Sequence, residues 1–211
     1  MRDISAIGRH GRAALAVGPL LILSTGVELV HRVQAPDGTV VEPVVFALLI
    51  ALWGIGMLCV GVAALDARGL HREAAAPLAR AGRIGVRLVV AGSALQVLFA
   101  AVVAVSAAAA GKPVEASFVL FGLGFLLLVV GGVLLGVGVW RARVVPSGAT
   151  PLWVGAAAAL VAIVVFTDPW HDIGLFVFAG AWSALGVTLL TRASVPAERS
   201  DSATTRATRA A

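Results

Sequence analysis

Two short groups of carboxylate and imidazole side chains are the residues of this sequence whose types and spacing could do chemistry. Glu28 precedes His31 by three positions, which places both side chains on one face of a helix. In a helical bundle such a pair can share a metal ion or pass a proton. The second group follows a later apolar segment and contains Asp168, His171 and Asp172. The candidate metal ligands are therefore Glu28, His31, Asp168, His171 and Asp172.

Each group also has a purely structural interpretation. Glu28 and Arg32 are spaced i,i+4, so they can form an ion pair in which the arginine reaches toward the membrane surface. Asp168 followed by Pro169 is typical of a helix N-cap with proline at the first helical position. We favour the ion pair at Glu28, while capping explains the later loop about as well as ligation does.

Other chemistry is sparse in this sequence. Gln96 is the amide that lies in the middle of an apolar segment, where it could line a pathway or bond a neighbouring helix. The sequence contains no P-loop, zinc-protease motif or nucleophile elbow. Its four histidines lie at or beyond the ends of apolar segments, whereas axial haem ligands usually come from a bundle interior. We therefore expect no catalytic signature and no cofactor, apart from a metal ion at the candidate site.

The elements that must position these residues are apolar segments. Hydrophobic residues make up 60% of the chain and charged residues 13%, with a mean hydropathy of +1.00, which is typical of membrane proteins. The segment from Phe118 to Trp140 has no charged side chain. As a helix it would be about 35 Å long, enough to cross a hydrocarbon core of about 30 Å. A single span must be helical because its backbone has to satisfy its own hydrogen bonds in lipid.

Six such segments are present, so the predicted fold class is an all-α integral membrane bundle of six helices occupying residues 1–192. The first segment is predicted to be an uncleaved helix rather than a signal peptide. Residues 193–211 are rich in Ser, Thr, Ala and Arg and are predicted to form a disordered cytoplasmic tail. The approximate bounds of the six helices are 13–30, 43–65, 84–110, 118–140, 152–166 and 173–191.

The basic residues predict how the chain is threaded. Of the 16 lysines and arginines, 14 fall at one end of the alternating segments, and only Arg32 and Lys112 fall at the other. By the positive-inside rule the basic end is cytoplasmic. Both termini are therefore predicted to lie on the cytoplasmic side of a bacterial plasma membrane. Six carboxylates accompany Arg32 and Lys112, which gives the opposite end a net charge of −4. These carboxylates are Glu28, Asp37, Glu42, Glu115, Asp168 and Asp172.

A weak internal repeat relates the even-numbered segments. The stretch 60–68 is similar to 135–143, and 185–187 is similar to both, which indicates three parallel helical hairpins. The abundance of Gly, Val and Leu would also produce such matches. On Gly61, Gly136 and Gly186 the chain distantly resembles small six-span bacterial inner-membrane proteins of unknown function, with a hairpin-repeat, acid-resistance-like architecture. That resemblance covers the spans, and it carries neither a function nor site residues across to this chain. A stress-related or accessory role belongs to the interpretation of the chain as a multi-pass protein without a catalytic signature.

Pairs of small residues four positions apart allow helices to approach closely. Gly132 with Gly136, and Gly180 with Ala184, have this spacing, and it serves contacts within one chain or between chains equally well. The predicted partners are the lipid bilayer and either a second copy or another membrane protein. Nucleic acid is excluded because the basic residues lie in short loops and form no patch studded with aromatic residues.

The sequence favours a non-enzymatic multi-pass plasma-membrane protein, and two alternatives stay open. One is a small transporter or ion-conducting module that uses the acidic outer rim. A continuous polar route through Gln96 would favour it. The other is a membrane metalloprotein, which convergence of the five candidate ligands around one cavity would favour.

Overall fold

Apolar segments rich in leucine and alanine form the helices of this protein, because both residues have high helix propensity. The structure, a computed structural model, describes residues 11–34, 43–73, 77–110, 114, 116–165 and 169–193, and within these the side chains of 31–34, 43–44, 110 and 192–193 are not described. The described residues contain helices and no strand. The helices are α1 (Arg12–Gln34), α2 (Pro43–Glu73), α3 (Arg80–Ala110), α4 (Ser117–Ala142), α5 (Ala149–Val164) and α6 (Trp170–Ala193).

All six helices of the described chain give segments long and apolar enough to cross a membrane. Most extend past the predicted apolar segments, and α2 continues to Glu73 through a basic stretch. The helix α4 ends where Arg143 adopts a left-handed conformation with φ 55°, and its N–H bonds the Trp140 carbonyl. A 3₁₀ turn over Pro146–Gly148 then leads into α5, which has 16 residues. Residues 194–211, most of the predicted tail, lie outside the described residues.

The helices form a closed ring in which each packs against the next and α6 packs against α1. Contacts along α1 and α6 show that these two helices are antiparallel. A Cβ on Gly11 would meet Leu189 at 3.0 Å, and one on Gly26 would meet Phe176 at 4.0 Å. The start of α1 and the end of α6 therefore lie at the same end of the bundle. The division of this ring into three parallel hairpins remains a prediction.

Aromatic rings fill the middle of the ring of helices. Phe121 packs on Phe125 with centroids 4.8 Å apart, Phe125 on Phe178 at 5.8 Å, and Phe178 on Trp182 at 6.2 Å. Tilted pairs of this kind contribute about 0.5–1.5 kcal/mol each beyond the area they bury. Phe125 and Phe178 are fully buried. The described centre of the bundle is thus a packed core rather than a water-filled channel.

Glycines let α3 and α4 approach until their backbones touch. A Cβ on Gly82 would lie 2.9 Å from the Gly138 Cα, and a Cβ on Gly131 would lie 2.7 Å from the Val89 nitrogen. Such distances exclude any side chain at these positions unless the helices separate. Close packing of this kind drives helix association in membranes, where burial from water contributes little.

The two predicted small-residue pairs have different surroundings. Gly132 and Gly136 face α5, where a Cβ on Gly132 would meet Ala156 at 3.3 Å. This pair therefore serves packing within the chain. Gly180 has nothing within 4 Å of its would-be Cβ, and both Gly180 and Ala184 face outward from the bundle.

A proline inside α1 is accommodated by a serine on α6. Pro19 has no N–H, so the Leu15 carbonyl loses its usual helical partner. The Ser183 hydroxyl donates to that carbonyl at 3.3 Å and accepts from the Gly18 N–H at 3.0 Å. A Cβ on Gly18 would collide with the Ser183 hydroxyl, so glycine at this position permits the contact. One side chain thus joins α6 to α1 and supplies the hydrogen bond that proline removes from α1.

The outer surface of the ring is as apolar as its interior. Large hydrophobic side chains face outward on every helix, among them Val27, Leu48, Val105, Val119, Val164 and Val177. A helix that is hydrophobic all round belongs in a protein core or in lipid, and the described core is already filled. The chain is therefore built as a multi-pass membrane protein.

Candidate functional site: a cavity at one end of the bundle

A cavity of about 230 Å³ opens at the end of the bundle where α1 and α3 finish and α2, α4 and α6 begin. The start of α1 and the end of α6 lie at the opposite end of the bundle from this cavity. Five helices contribute to it. The lining residues are Ser24, Thr25, Glu28, Phe46, Ile50, Trp53, Phe99, Val103, Phe118, Phe121, His171 and Leu175.

Glu28 and His171, from opposite ends of the sequence, line the same cavity. Glu28 is half-buried near the end of α1, and His171 lies in the first turn of α6. The His171 Nδ1 atom is 2.7 Å from the Ala162 carbonyl oxygen on α5. A carbonyl only accepts, so Nδ1 carries the proton, and in the neutral ring Nε2 is an acceptor. This bond holds the ring against the wall of the cavity.

Two hydroxyl groups lie beside Glu28 on the same side of α1. The Ser24 hydroxyl donates to the Leu49 carbonyl on α2 at 2.8 Å, so its proton points into the protein. Its oxygen lone pairs remain acceptors. Thr25 is the neighbouring lining residue, and its hydroxyl can donate or accept. Serine and threonine at these positions therefore add oxygen acceptors to the carboxylate and imidazole.

A chain of hydrogen bonds lies beneath the aromatic wall of the cavity. The Trp53 indole N–H donates to Gln96 Oε1 at 3.3 Å, and Gln96 Nε2 donates to the Phe121 carbonyl at 2.8 Å. Gln96 itself is fully buried. A Cβ on Gly124 would lie 2.8 Å from Gln96 Nε2, so glycine leaves room for the amide. The chain links α2, α3 and α4, and these contacts favour a packing role for Gln96 over a role in a pathway.

Of the five predicted ligands, the structure brings Glu28 and His171 together at one cavity. Asp172 is 2% exposed in the first turn of α6 and is not among the cavity-lining residues. It lies one helical turn before Phe176, a residue that packs on α1. The side chain of His31 and the whole of Asp168 lie outside the described residues. Within the described chain, no group of three or more His, Cys, Asp or Glu side chains has the arrangement of a metal site.

A histidine that is buried lies at the other end of the bundle. His71 is fully buried, although the sequence places it at a span end, and its Nδ1 donates to the Ala67 carbonyl at 2.7 Å. It is 22 residues beyond Leu49 along α2, about 33 Å at the helical rise, so it cannot take part in the cavity. A single haem could not bridge His71 and His171.

The aromatic wall is the part of the site that the sequence did not reveal. Phe46, Trp53, Phe99, Phe118 and Phe121 all line the cavity. Phe121 also stacks with Trp53 at a centroid distance of 6.2 Å and approaches His171 at 6.4 Å. In the sequence these rings look like ordinary apolar residues of separate spans. One feature of the sequence could have indicated this wall. Phe118 and Phe121 are three positions apart, so they share a helix face at the start of α4, on the side where the acidic loops are predicted.

The fold and the cavity together define a helical multi-pass membrane protein with a small polar and aromatic chamber at one end. Comparison with protein-family models, curated proteins and solved structures found no match for the chain. Its function is therefore inferred from the cavity alone.

Proposed function

We propose that this protein is a non-catalytic multi-pass protein of the bacterial plasma membrane that binds a small molecule in the cavity at its outer end. The observation that supports the proposal is the shared cavity of Glu28 and His171, whose walls are mainly apolar and include five aromatic side chains. Ligand pockets are typically apolar chambers with a few converging polar groups. Here a carboxylate, an imidazole and two hydroxyl groups converge on a mainly apolar chamber.

The packed centre of the bundle supports binding over conduction. Below the cavity lies the column of Phe121, Phe125, Phe178 and Trp182, whose rings contact one another in sequence. The amide of Gln96 is used in hydrogen bonds to Trp53 and Phe121. A conducting module would need polar groups free to exchange with ions or water along this axis. In the described chain the axis is apolar from the cavity floor to Trp182.

The proposal is tested by filling the cavity. Val103 lines it and is buried on α3, so Val103→Phe would place a ring in the empty space. The wild-type protein and the variant would be reconstituted in nanodiscs and screened by thermal shift against small organic compounds of each charge type. A ligand present at 100 times its Kd should stabilise the wild type by about 2.7 kcal/mol.

We expect at least one compound to stabilise the wild type and to have no effect on Val103→Phe. Phe125, buried below the cavity, offers a control: Phe125→Leu should lower stability without abolishing the ligand-induced shift, because this residue does not line the cavity. Equal shifts in the wild type and Val103→Phe, or no shift with any compound, would contradict the proposal.

A second candidate function is a metal or proton site that uses Glu28 and His171. The observation that favours it is that the two side chains line one cavity and that Nδ1 of His171 is bonded to a backbone carbonyl. Histidine ligands commonly donate one ring N–H to a carbonyl and bind metal through the other nitrogen. His31, Asp168 and Asp172 would complete the predicted ligand set.

Metal analysis of the purified protein tests this candidate. Zn²⁺ or another divalent ion near one equivalent per chain is expected if the site binds metal, with a loss of metal in Glu28→Gln and His171→Ala. The control is His71→Ala, which removes a histidine at the opposite end of the bundle. Unchanged metal content in both cavity variants would exclude the metal site.

A further inference from the structure

We propose that the cavity binds a small aromatic molecule that carries one hydroxyl or carbonyl group. This inference rests on the proposed ligand-binding function and adds the chemical class of the ligand. Three properties of the cavity support it: the connected rings of its wall, a hydroxyl group on α1 that has no partner among the described residues, and the volume enclosed.

The aromatic side chains of the wall form one connected row of rings. Phe118 packs on Phe99 with centroids 5.9 Å apart, and Phe99 packs on Phe121 at 5.2 Å. Phe121 in turn stacks on Trp53 at 6.2 Å, and all four side chains line the cavity. Rings attract one another at centroid distances of about 4.5–7 Å, in offset or tilted arrangements, beyond the effect of the area they bury. A planar ring inside the cavity would extend this row, whereas a saturated ring of similar size would gain only the burial.

One hydroxyl group of the lining differs from the other polar groups that have printed bonds into the protein. The Ser24 hydroxyl donates to the Leu49 carbonyl, and the Trp53 indole N–H donates to Gln96. Thr25 is only 4% exposed, yet its hydroxyl makes no hydrogen bond within the described chain. Its oxygen is not fully enclosed by protein atoms, and the residue lines the cavity. The cavity is therefore the space from which this oxygen can be reached.

A hydrogen bond from a ligand would satisfy the Thr25 hydroxyl. A buried hydroxyl without a partner costs free energy, and a bond formed on binding recovers it. The hydroxyl can donate to a ligand hydroxyl or carbonyl oxygen, and it can accept from a ligand hydroxyl. Glu28 and His171 already have partners in the protein, so we assign the polar group of the ligand to Thr25.

The volume of the cavity limits the size of the ring system. An apolar cavity of about 150 Å³ in another protein holds one benzene molecule. The cavity described here has about 230 Å³, about one and a half times as much. Two fused rings with roughly ten carbon atoms would fill that space. The ligand class is therefore a one- or two-ring aromatic molecule with a single hydrogen-bonding group.

Three probes of similar size separate the ring from the hydroxyl group. They are 2-naphthol, its saturated counterpart decahydro-2-naphthol, and 2-methylnaphthalene, in which a methyl group replaces the hydroxyl. Affinities would be measured by thermal shift and calorimetry on the full chain in phosphatidylglycerol nanodiscs and referred to the probe concentration in the bilayer of empty nanodiscs. We expect 2-naphthol to bind about two- to tenfold more tightly than either counterpart.

A threonine variant assigns the hydrogen bond. Thr25→Val keeps the shape of the side chain and removes its hydroxyl, so it should weaken 2-naphthol about two- to tenfold. Binding of 2-methylnaphthalene should stay unchanged, because this probe makes no hydrogen bond. Thr188→Val is the matched control, since the Thr188 hydroxyl donates to the Ala184 carbonyl of its own helix and the residue does not line the cavity.

Variants of the wall assign the preference for an aromatic ring. Phe99→Leu removes a ring at the centre of the row, and Phe46→Leu removes a half-buried one that also lines the cavity. Each should lower the ratio of the 2-naphthol and decahydro-2-naphthol affinities about two- to fivefold. The ratio is read within one variant, so a loss of stability does not alter it. Phe178→Leu, which removes a buried ring outside the lining, should leave the ratio unchanged.

Failure of this inference and failure of the proposed function give different results. If either counterpart binds as tightly as 2-naphthol, or if Thr25→Val leaves all three affinities unchanged, the aromatic class of ligand is overturned. A ratio that survives both Phe99→Leu and Phe46→Leu would also overturn it, because the shape of the probe and not the wall would then set the preference. If none of the probes and none of the screened compounds distinguishes the wild type from Val103→Phe, the ligand-binding function itself is overturned.

Discussion

Trp53 on α2 donates its indole N–H to the side-chain oxygen of Gln96 on α3, and the pair lies beneath the cavity wall with both side chains buried. The same amide passes its own N–H to the Phe121 carbonyl on α4. One glutamine thereby joins three helices of the ring. In an apolar environment each unsatisfied group would cost free energy, so the chain of bonds constrains how these helices pack.

Removing this amide should destabilise the fold. Gln96→Leu leaves the Trp53 N–H without its acceptor, so we expect the free energy of unfolding to fall by about 1–3 kcal/mol. Detergent-induced unfolding followed by tryptophan fluorescence measures the change. Thr188→Ala is a suitable control, because Thr188 is partly exposed and its hydroxyl donates to the Ala184 carbonyl of its own helix. A Gln96→Leu variant with wild-type stability would argue against this packing role and revive the pathway interpretation.

Contact between glycines should make α3 and α4 sensitive to a single methyl group. A Cβ on Gly138 would lie 2.9 Å from the Gly82 nitrogen, so Gly138→Ala should destabilise the protein by about 1–3 kcal/mol. Gly180→Ala adds the same methyl group where nothing lies within 4 Å, and its effect should stay within about 0.5 kcal/mol. Unfolding midpoints of the two variants provide the comparison. Equal effects would show that the two glycines have the same surroundings, contrary to the structure.

Ser183 and Pro19 should be coupled energetically. In the wild type the Ser183 hydroxyl replaces the N–H that proline cannot supply to Leu15, so Ser183→Ala should cost about 1–2 kcal/mol. In a Pro19→Ala background the helix supplies its own donor, and the same substitution should cost less. A double-mutant cycle of unfolding free energies measures this coupling. Additive effects would indicate that Ser183 acts through packing alone.

The proposed threading predicts which side of the membrane each end of the bundle faces. Ala79 and Val114 are exposed positions at opposite ends, so Ala79→Cys and Val114→Cys can report sidedness in a Cys59→Ala background. A membrane-impermeant maleimide added to intact cells should label position 114, whereas position 79 should react only after permeabilisation. The reverse pattern would place the cavity on the cytoplasmic side.

Much of the architecture follows from the sequence because it depends on local properties. Uninterrupted apolar stretches such as 118–140 must be helical in lipid, and their length predicts spanning segments. The alternation of basic and acidic connections predicts which helix ends lie together, and the contact of Gly11 with Leu189 agrees with that alternation. Glu28 and His171 could be selected as candidates because charged or titratable residues near spans are costly and stand out.

The closing of the ring, the partners of each polar group and the cavity itself depend on the tertiary structure. Nothing in the sequence near Gln96 indicates that its partners are Trp53 and the Phe121 carbonyl, because these bonds join residues on different helices. From the sequence, the glycines at 124, 131 and 138 are expected only to weaken their helix. The structure shows that each of them makes room for a close neighbour on α3. Sequence alone determines which segments enter the membrane, since hydrophobicity and charge act on each segment separately. Which side chains share a cavity is decided by packing, since that depends on the rotation and separation of five helices at once.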